Sequence, residues 1–172
     1  MTTAAPSGDE RDGGCACGHV RYRLASAPMY VHACHCTWCQ RETGAAFAVN
    51  ALIETDRVAL LAGEVEWVDT PTNSGKGQRV ARCPRCRVAV FSHYAYGPIG
   101  DDVRFVRVGT LDDPSRTPPD LHIFTSTKVA WLALPEGAPA VAEFYKASER
   151  WPAASLERRT ALFAAAEAAA AR

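Results

Sequence analysis

Seven cysteines fall into three tight clusters, and that spacing constrains the chain more than any other feature. Cys15 and Cys17 form C-A-C, Cys34, Cys36 and Cys39 form C-H-C-T-W-C, and Cys83 and Cys86 form C-P-R-C. Two or three thiols a few residues apart, answered by a distant second pair, is the spacing of zinc ligands, because one tight turn can offer two donors to a tetrahedral ion. An odd number of cysteines argues against a disulfide framework. Seven divides into four plus three. A four-thiolate site is closed and structural, whereas a three-thiolate site keeps one position for chemistry.

The chain has 172 residues, enough for one domain with its own core. Lys plus Arg number 19 and Asp plus Glu number 19, so the formal net charge is zero. Charge therefore gives no reason to expect a nucleic acid or an anionic membrane as partner. No apolar run approaches the roughly 18 residues that span a bilayer. The polar start lacks the hydrophobic stretch of a secretory signal. Thiols held reduced on a metal fit a reducing compartment, so a cytoplasmic location is expected.

Three regions are expected: a disordered tail over 1–12, a zinc-binding domain over 13–144 and a helical extension over 145–172. Within the domain, Val20, Tyr22 and Leu24 alternate with His19, Arg21 and Arg23, the period of a half-buried strand. Further short strands are predicted over 29–33, 64–69, 78–82, 88–94, 103–108, 121–127 and 129–134, and residues 45–53 form an apolar stretch. Residues 71–77 read as a flexible loop and 112–119 as a turn-rich connection. Many short strands separated by Gly and Pro indicate a mostly β, antiparallel domain. After Pro152, a good first helical residue, the sequence AASLERRTALFAAAEAAAAR favours a helix strongly. Leu156, Leu162 and Phe163 give that helix a narrow apolar stripe. It is expected to pack on its own domain or fray in part, and a homodimer through this helix is the sharper alternative.

Cys15 and Cys17 with Cys83 and Cys86 make a four-thiolate set that staples the first strands to the second-half hairpin. Such a site contributes on the order of 10 kcal/mol to folding. Arg85, inside the second knuckle, faces solvent or offsets the charge of that centre. Cys34, Cys36 and Cys39 remain, all from one short loop. Their fourth position is open to water, an external ligand or a histidine. His35 lies between two ligands and tends to point the other way, while His32, His93 or His122 would close the site. Three thiolates donate strongly, so a zinc there activates water poorly, yet it is soft enough to capture another thiolate. The open site thus suits a thiol ligand better than hydrolysis, and Arg41 is a candidate compensating charge.

With the clusters in this order, the chain resembles the glutathione-dependent formaldehyde-activating enzyme family, which also includes centromere protein V. The resemblance runs through GGCACGHVRY, CHCTWCQRETGAAF, CPRC, GTLDDP and HIFTSTKVAW and covers about residues 13–144. It implies a folded-sheet architecture known as the β-tent with two zinc ions per chain. The structural zinc matches Cys15, Cys17, Cys83 and Cys86, and the second, catalytic zinc matches Cys34, Cys36 and Cys39. The implied activity joins glutathione and formaldehyde into S-hydroxymethylglutathione, a carbon–sulfur lyase reaction, with a small-molecule thiol and an aldehyde as partners. A non-catalytic zinc module that carries glutathione or binds a protein is the alternative. Family members commonly carry Gly where this chain has Arg87, which matters if the turn needs a positive φ. The carboxy-terminal helix lies beyond the resemblance.

Four other residues or pairs draw attention. Trp38 either walls a ligand pocket or packs on a neighbouring strand. Asp112 and Asp113, before Pro114, read as turn formers rather than an acid/base pair. His122 is a ligand or a hydrogen-bonded core histidine. Lys128 meets a substrate carboxylate or ends a strand in solvent.

Overall fold

The structure, a computed structural model, describes residues 8–95 and 97–171. Its ten strands are β1 (Arg11–Gly14), β2 (Arg21–Leu24), β3 (Tyr30–Cys34), β4 (Ala48–Glu54), β5 (Val58–Ala62), β6 (Glu66–Thr70), β7 (Gln78–Arg82), β8 (Ala89–Tyr94), β9 (Val103–Arg107) and β10 (Leu121–Ile123). A small sheet has the order β1-β2-β5, and a seven-stranded sheet has the order β10-β3-β4-β9-β8-β7-β6. Every pairing is antiparallel except β10 against β3. The fold is therefore mostly β, a tent-like pair of sheets with a carboxy-terminal helix, as expected.

Both faces of the large sheet are covered, which explains why its central strands read as apolar runs rather than alternating ones. Along β4, Ala51 and Ile53 point into a core shared with the small sheet, while Leu52 points into a second core on the opposite face. Tyr22 of β2 meets Phe91 of β8 edge to face at 5.9 Å in the first core, and its hydroxyl bonds Thr110 Oγ1 at 2.7 Å. The second core is roofed by the end of the chain. Short helix α2 (Ala147–Arg150) and long helix α3 (Ala153–Ala170) follow the sheets, and Trp151 between them stacks on Tyr30 at 5.5 Å. Leu156, Leu162 and Phe163 of α3 pack into this core, and Arg158 pairs with Glu54 at the end of β4. The expected helix thus packs on its own domain.

Several local readings change. Residues 1–7 of the expected tail lie outside the described residues. Arg11 and Asp12, also assigned to that tail, open β1 instead, because Asp12 holds Arg23 of β2 through Oδ1 and Oδ2 at 2.6 and 2.8 Å. β5 was not anticipated. It is an edge strand with Leu60 and Leu61 exposed, so it lacks the alternation that marks a half-buried strand. The strand expected over 121–127 stops at Ile123, because Phe124 takes a left-handed φ of 54° and a 3₁₀ turn follows. Residues 129–134 form no strand. There Lys128 Nζ caps the carbonyls of Val129 and Leu132 at 3.2 and 2.5 Å, so Lys128 serves this loop.

Candidate metal centre

The four-cysteine cluster joins the two sheets. Cys15 and Cys17 lie in the turn between β1 and β2, and Cys83 and Cys86 in the turn between β7 and β8. The turns are built alike. The Cys15 N–H donates to Val20 O and the Cys83 N–H to Val88 O, each at 3.0 Å. Gly18 in one turn and Arg87 in the other reverse the chain with positive φ, 73° and 64°. The requirement that makes Gly useful here is thus real, and Arg87 meets it at a conformational cost of about 1 kcal/mol. The four Sγ atoms lie within 4.8 Å of one another. Cys83 and Cys15 are buried, Cys86 is half-buried and Cys17 exposed. Backbone N–H groups already point at sulfur, Val20 to Cys15 Sγ at 3.2 Å. Hydrogen bonding from Val88 first, with help from the neighbouring thiols, draws the Cys86 thiol down to about 6. Arg85 is exposed to solvent.

Cys34 ends β3, and Cys36 and Cys39 open helix α1 (Thr37–Thr43), where a short loop was expected. Cys36 is its N-cap residue, with Sγ accepting the Cys39 N–H at 3.3 Å, and Gly44 ends it at φ 67°. A cap at Cys36 forces Cys39 onto the same first turn, so the loop gathers all three Sγ atoms within 4.8 Å. Three thiols so close cannot share protons equally. Hydrogen bonding from Cys34 first, then Cys39, draws the Cys36 thiol down to about 2, while Cys36 first, with burial, leaves Cys34 raised to about 12 against the lowering effect of Cys39. Cys39 is raised as well, by Cys34 first. Only a cation among them would let all three be thiolates together. Both donor sets fit zinc, which favours sulfur and tetrahedral coordination.

Among the described residues no histidine joins either cluster. His35 turns away, its Nε2 sharing a hydrogen bond with His122 Nδ1 at 2.9 Å. His122 is therefore a hydrogen-bonded core histidine. His93 bonds the Val103 carbonyl at 3.1 Å and stacks on Trp67. His32 is buried on β3 beside the three cysteines, with Nδ1 3.5 Å from the Tyr145 hydroxyl. Burial first, then Arg107, pushes its pKa down to about 4, so the ring is neutral at physiological pH.

The three cysteines line a cavity of about 740 Å³. Its floor is the large sheet, with His32, Asn50, Leu52, Phe105 and Arg107. Trp38 stands on one wall with Thr72 to Ser74 nearby, and Phe144, Tyr145 and Phe163 from the chain's end form another. Arg107, Arg159 and Lys76, not the exposed Arg41, are cations that line this cavity, and Arg107 lies on its floor. The Arg107 guanidinium donates to Glu42 Oε2 at 2.7 Å and to Asn50 Oδ1 at 2.5 Å, and Glu42 also holds Arg82 at 2.7 Å. Neither Arg107 nor Glu42 was singled out from the sequence. The signal was an arginine inside the buried strand VRFVR, where a charge needs a partner. Asp112 and Asp113 stay outside the cavity. Asp112 pairs with Arg21, and Asp113 accepts the Ser115 N–H at 3.2 Å to close the turn.

Two sheets stapled by one thiol cluster, with a second thiol cluster on a cavity wall, define a β protein built around two candidate metal centres. The sequence profile of the family described as "Glutathione-dependent formaldehyde-activating enzyme" matches residues 10–127, and the chain belongs to that family. A Halomonas elongata protein named "Putative glutathione-dependent formaldehyde-activating enzyme" is 23% identical over 129 residues, covering 72% of this chain and 80% of that protein. A crystal structure of a Rhodobacter sphaeroides protein matches 61% of this chain and 93% of its own, with 18% identity and a TM-score of 0.45. No helix among the described residues is long and apolar enough to cross a membrane.

Proposed function

We propose that this chain is a zinc-dependent enzyme of carbon–sulfur lyase type that joins, or cleaves, a thiol such as glutathione and a small aldehyde such as formaldehyde. The single observation that carries this is the gathering of Cys34, Cys36 and Cys39, with no fourth protein ligand among the described residues, on the wall of a large cavity. Zinc held there would supply a soft open position that keeps an incoming thiol in its thiolate form. In the joining direction a sulfur–carbon bond forms, the carbonyl π pair moves to oxygen, and that oxygen takes up the proton the thiol gave away. Cleavage reverses each change. The Tyr145 hydroxyl, 3.5 Å from the neutral His32 Nδ1, is the cavity group suited to relay that proton. Arg107 offers positive charge beside the site, kept in place by Glu42 and Asn50. Cys15, Cys17, Cys83 and Cys86 would hold the structural zinc and contribute stability rather than chemistry.

Calorimetry with glutathione and S-methylglutathione tests this reading. The methyl group removes the thiolate and keeps the peptide, so glutathione is expected to bind far more tightly. Its binding should release close to one proton at neutral pH, since a free thiol of pKa ~8.5 is mostly protonated there. Two buffers of different ionisation enthalpy measure that release. Equal binding of both compounds, or none by millimolar glutathione, rejects the proposal. Binding with proton release, but no faster adduct formation from formaldehyde, would leave a glutathione carrier.

A further inference from the structure

We propose that the end of the chain builds an aromatic subsite in this cavity, so that the molecule taken up carries, besides its sulfur, an apolar group about the size of a phenyl ring. The proposal rests on the thiol reading above and adds a substrate class to it.

The family match ends at residue 127, but the cavity does not. Backbone hydrogen bonds lay the following segment along β10. His122 N–H donates to Pro139 O at 2.8 Å, Val141 N–H to His122 O at 2.9 Å and Phe124 N–H to Glu143 O at 3.1 Å. This register delivers Phe144 and Tyr145 to the cavity wall, and α3 adds Phe163. Phe144 stacks on Tyr145 with centroids 4.9 Å apart and meets Phe124 at 6.0 Å. Two observations show that this wall is not spare core. Phe144 remains 49% exposed at the cavity, so its ring keeps apolar surface that a ligand can cover. Phe124 is held at φ 54°, a left-handed conformation that is an outlier for a bulky residue and that persists where the surroundings over-determine it.

Scale and lining point the same way. A volume of about 740 Å³ lies in the range of roughly 300–1,000 Å³ that holds drug-sized ligands. Formaldehyde has one carbon and needs no aromatic wall. Arg107 on the floor is held by Glu42 and Asn50, whereas Phe144, Tyr145 and Phe163 give the wall at the chain's end an apolar face.

The test uses the full-length, zinc-loaded protein with two thiols, ethanethiol and 2-phenylethanethiol. Both present a similar sulfur and differ by one ring. Competition calorimetry is expected to show the phenyl compound binding roughly 20-fold more tightly, from burial of that ring. Phe144→Ala and, separately, Phe163→Ala should cut the ratio to about fivefold or less, as part of the buried area is lost. The ratio is internal to each variant, so the yield of folded protein does not affect it. A wild-type ratio near one, with ethanethiol still bound, overturns the subsite and leaves the thiol reading standing. A full ratio surviving both substitutions overturns its assignment to these rings. Failure of both thiols to bind the zinc-loaded protein removes the thiol reading and the subsite with it.

Discussion

Arg158→Ala should loosen the chain's end from the sheet, and the structure sets the size of the effect. Glu54 closes β4 with its side chain only 7% exposed. Its carboxylate accepts Arg158 Nε at 2.7 Å and also Arg158 Nη2, while Arg158 Nη1 reaches the Ala27 carbonyl at 3.0 Å. Removing one partner of a buried pair costs about 3–5 kcal/mol, because the remaining charge is stranded. Two features reduce that cost here. Arg158 is 23% exposed, and Arg57 stays within 3.4 Å of Glu54. A loss of about 2–3 kcal/mol is therefore expected. For a chain of this size that is a fall in melting temperature of roughly 5–10 °C. In a Glu54→Gln background the same substitution should cost much less, since no charge is stranded. The pH dependence has a definite sign. Burial, the largest single influence, raises the Glu54 pKa, but Arg158, a backbone hydrogen bond and Arg57 together outweigh it and the folded value lies below the ordinary 4.5. The contribution is therefore complete above that value and is lost as pH falls through the lower, folded one. The gap in melting temperature between wild type and Arg158→Ala should close on acidification. Scanning calorimetry of both proteins and the double variant reads all of this. A shift under about 1 °C, or an equal drop in the Glu54→Gln background, would refute the argument that this pair docks the helix.

Cys83→Ser and Cys36→Ser should fail differently. The first removes a ligand from the staple between sheets, where metal binding is worth on the order of 10 kcal/mol, and should abolish soluble protein or lower the melting temperature sharply. The second should leave the fold and reduce the metal content from two zinc ions per chain to one, and equal destabilisation by both would make the second site structural too. Arg87→Gly should be neutral or stabilising by up to about 1 kcal/mol, because it relieves the left-handed turn and loses only an exposed pair with Glu66. Arg87→Val should destabilise by about 1–2 kcal/mol, and denaturant midpoints that reverse this order would show that the turn does not need a positive φ. Glu42→Gln should cost about 2 kcal/mol by leaving Arg82 and Arg107 facing each other without the carboxylate between them, and an unchanged melting temperature would contradict the bridge.

The cysteine clusters and the strand-rich class were legible because they depend on local spacing. A turn that presents two thiols needs only a few residues, so C-A-C and C-P-R-C announce themselves, and the positive φ at Arg87 was open to inference from the position Gly commonly takes. The two strands around the second knuckle were legible for the same reason. α1 was not, since its start is a cysteine acting as cap rather than Ser, Thr, Asp or Asn. β5 escaped because an exposed edge strand lacks alternation.

Local spacing along the chain sets which thiols stand close, the β class and the propensity of the last residues for a helix. Which charges and rings meet depends on packing in three dimensions. Arg107 finds Glu42 across 65 residues, Arg158 finds Glu54 across 104, and His122 takes His35 as partner across 87. The wall made by Phe144, Tyr145 and Phe163 depends on how the chain's end lies along β10 and over the sheet. Such contacts arise from packing between elements remote in sequence, and their energies depend on burial that no local pattern encodes.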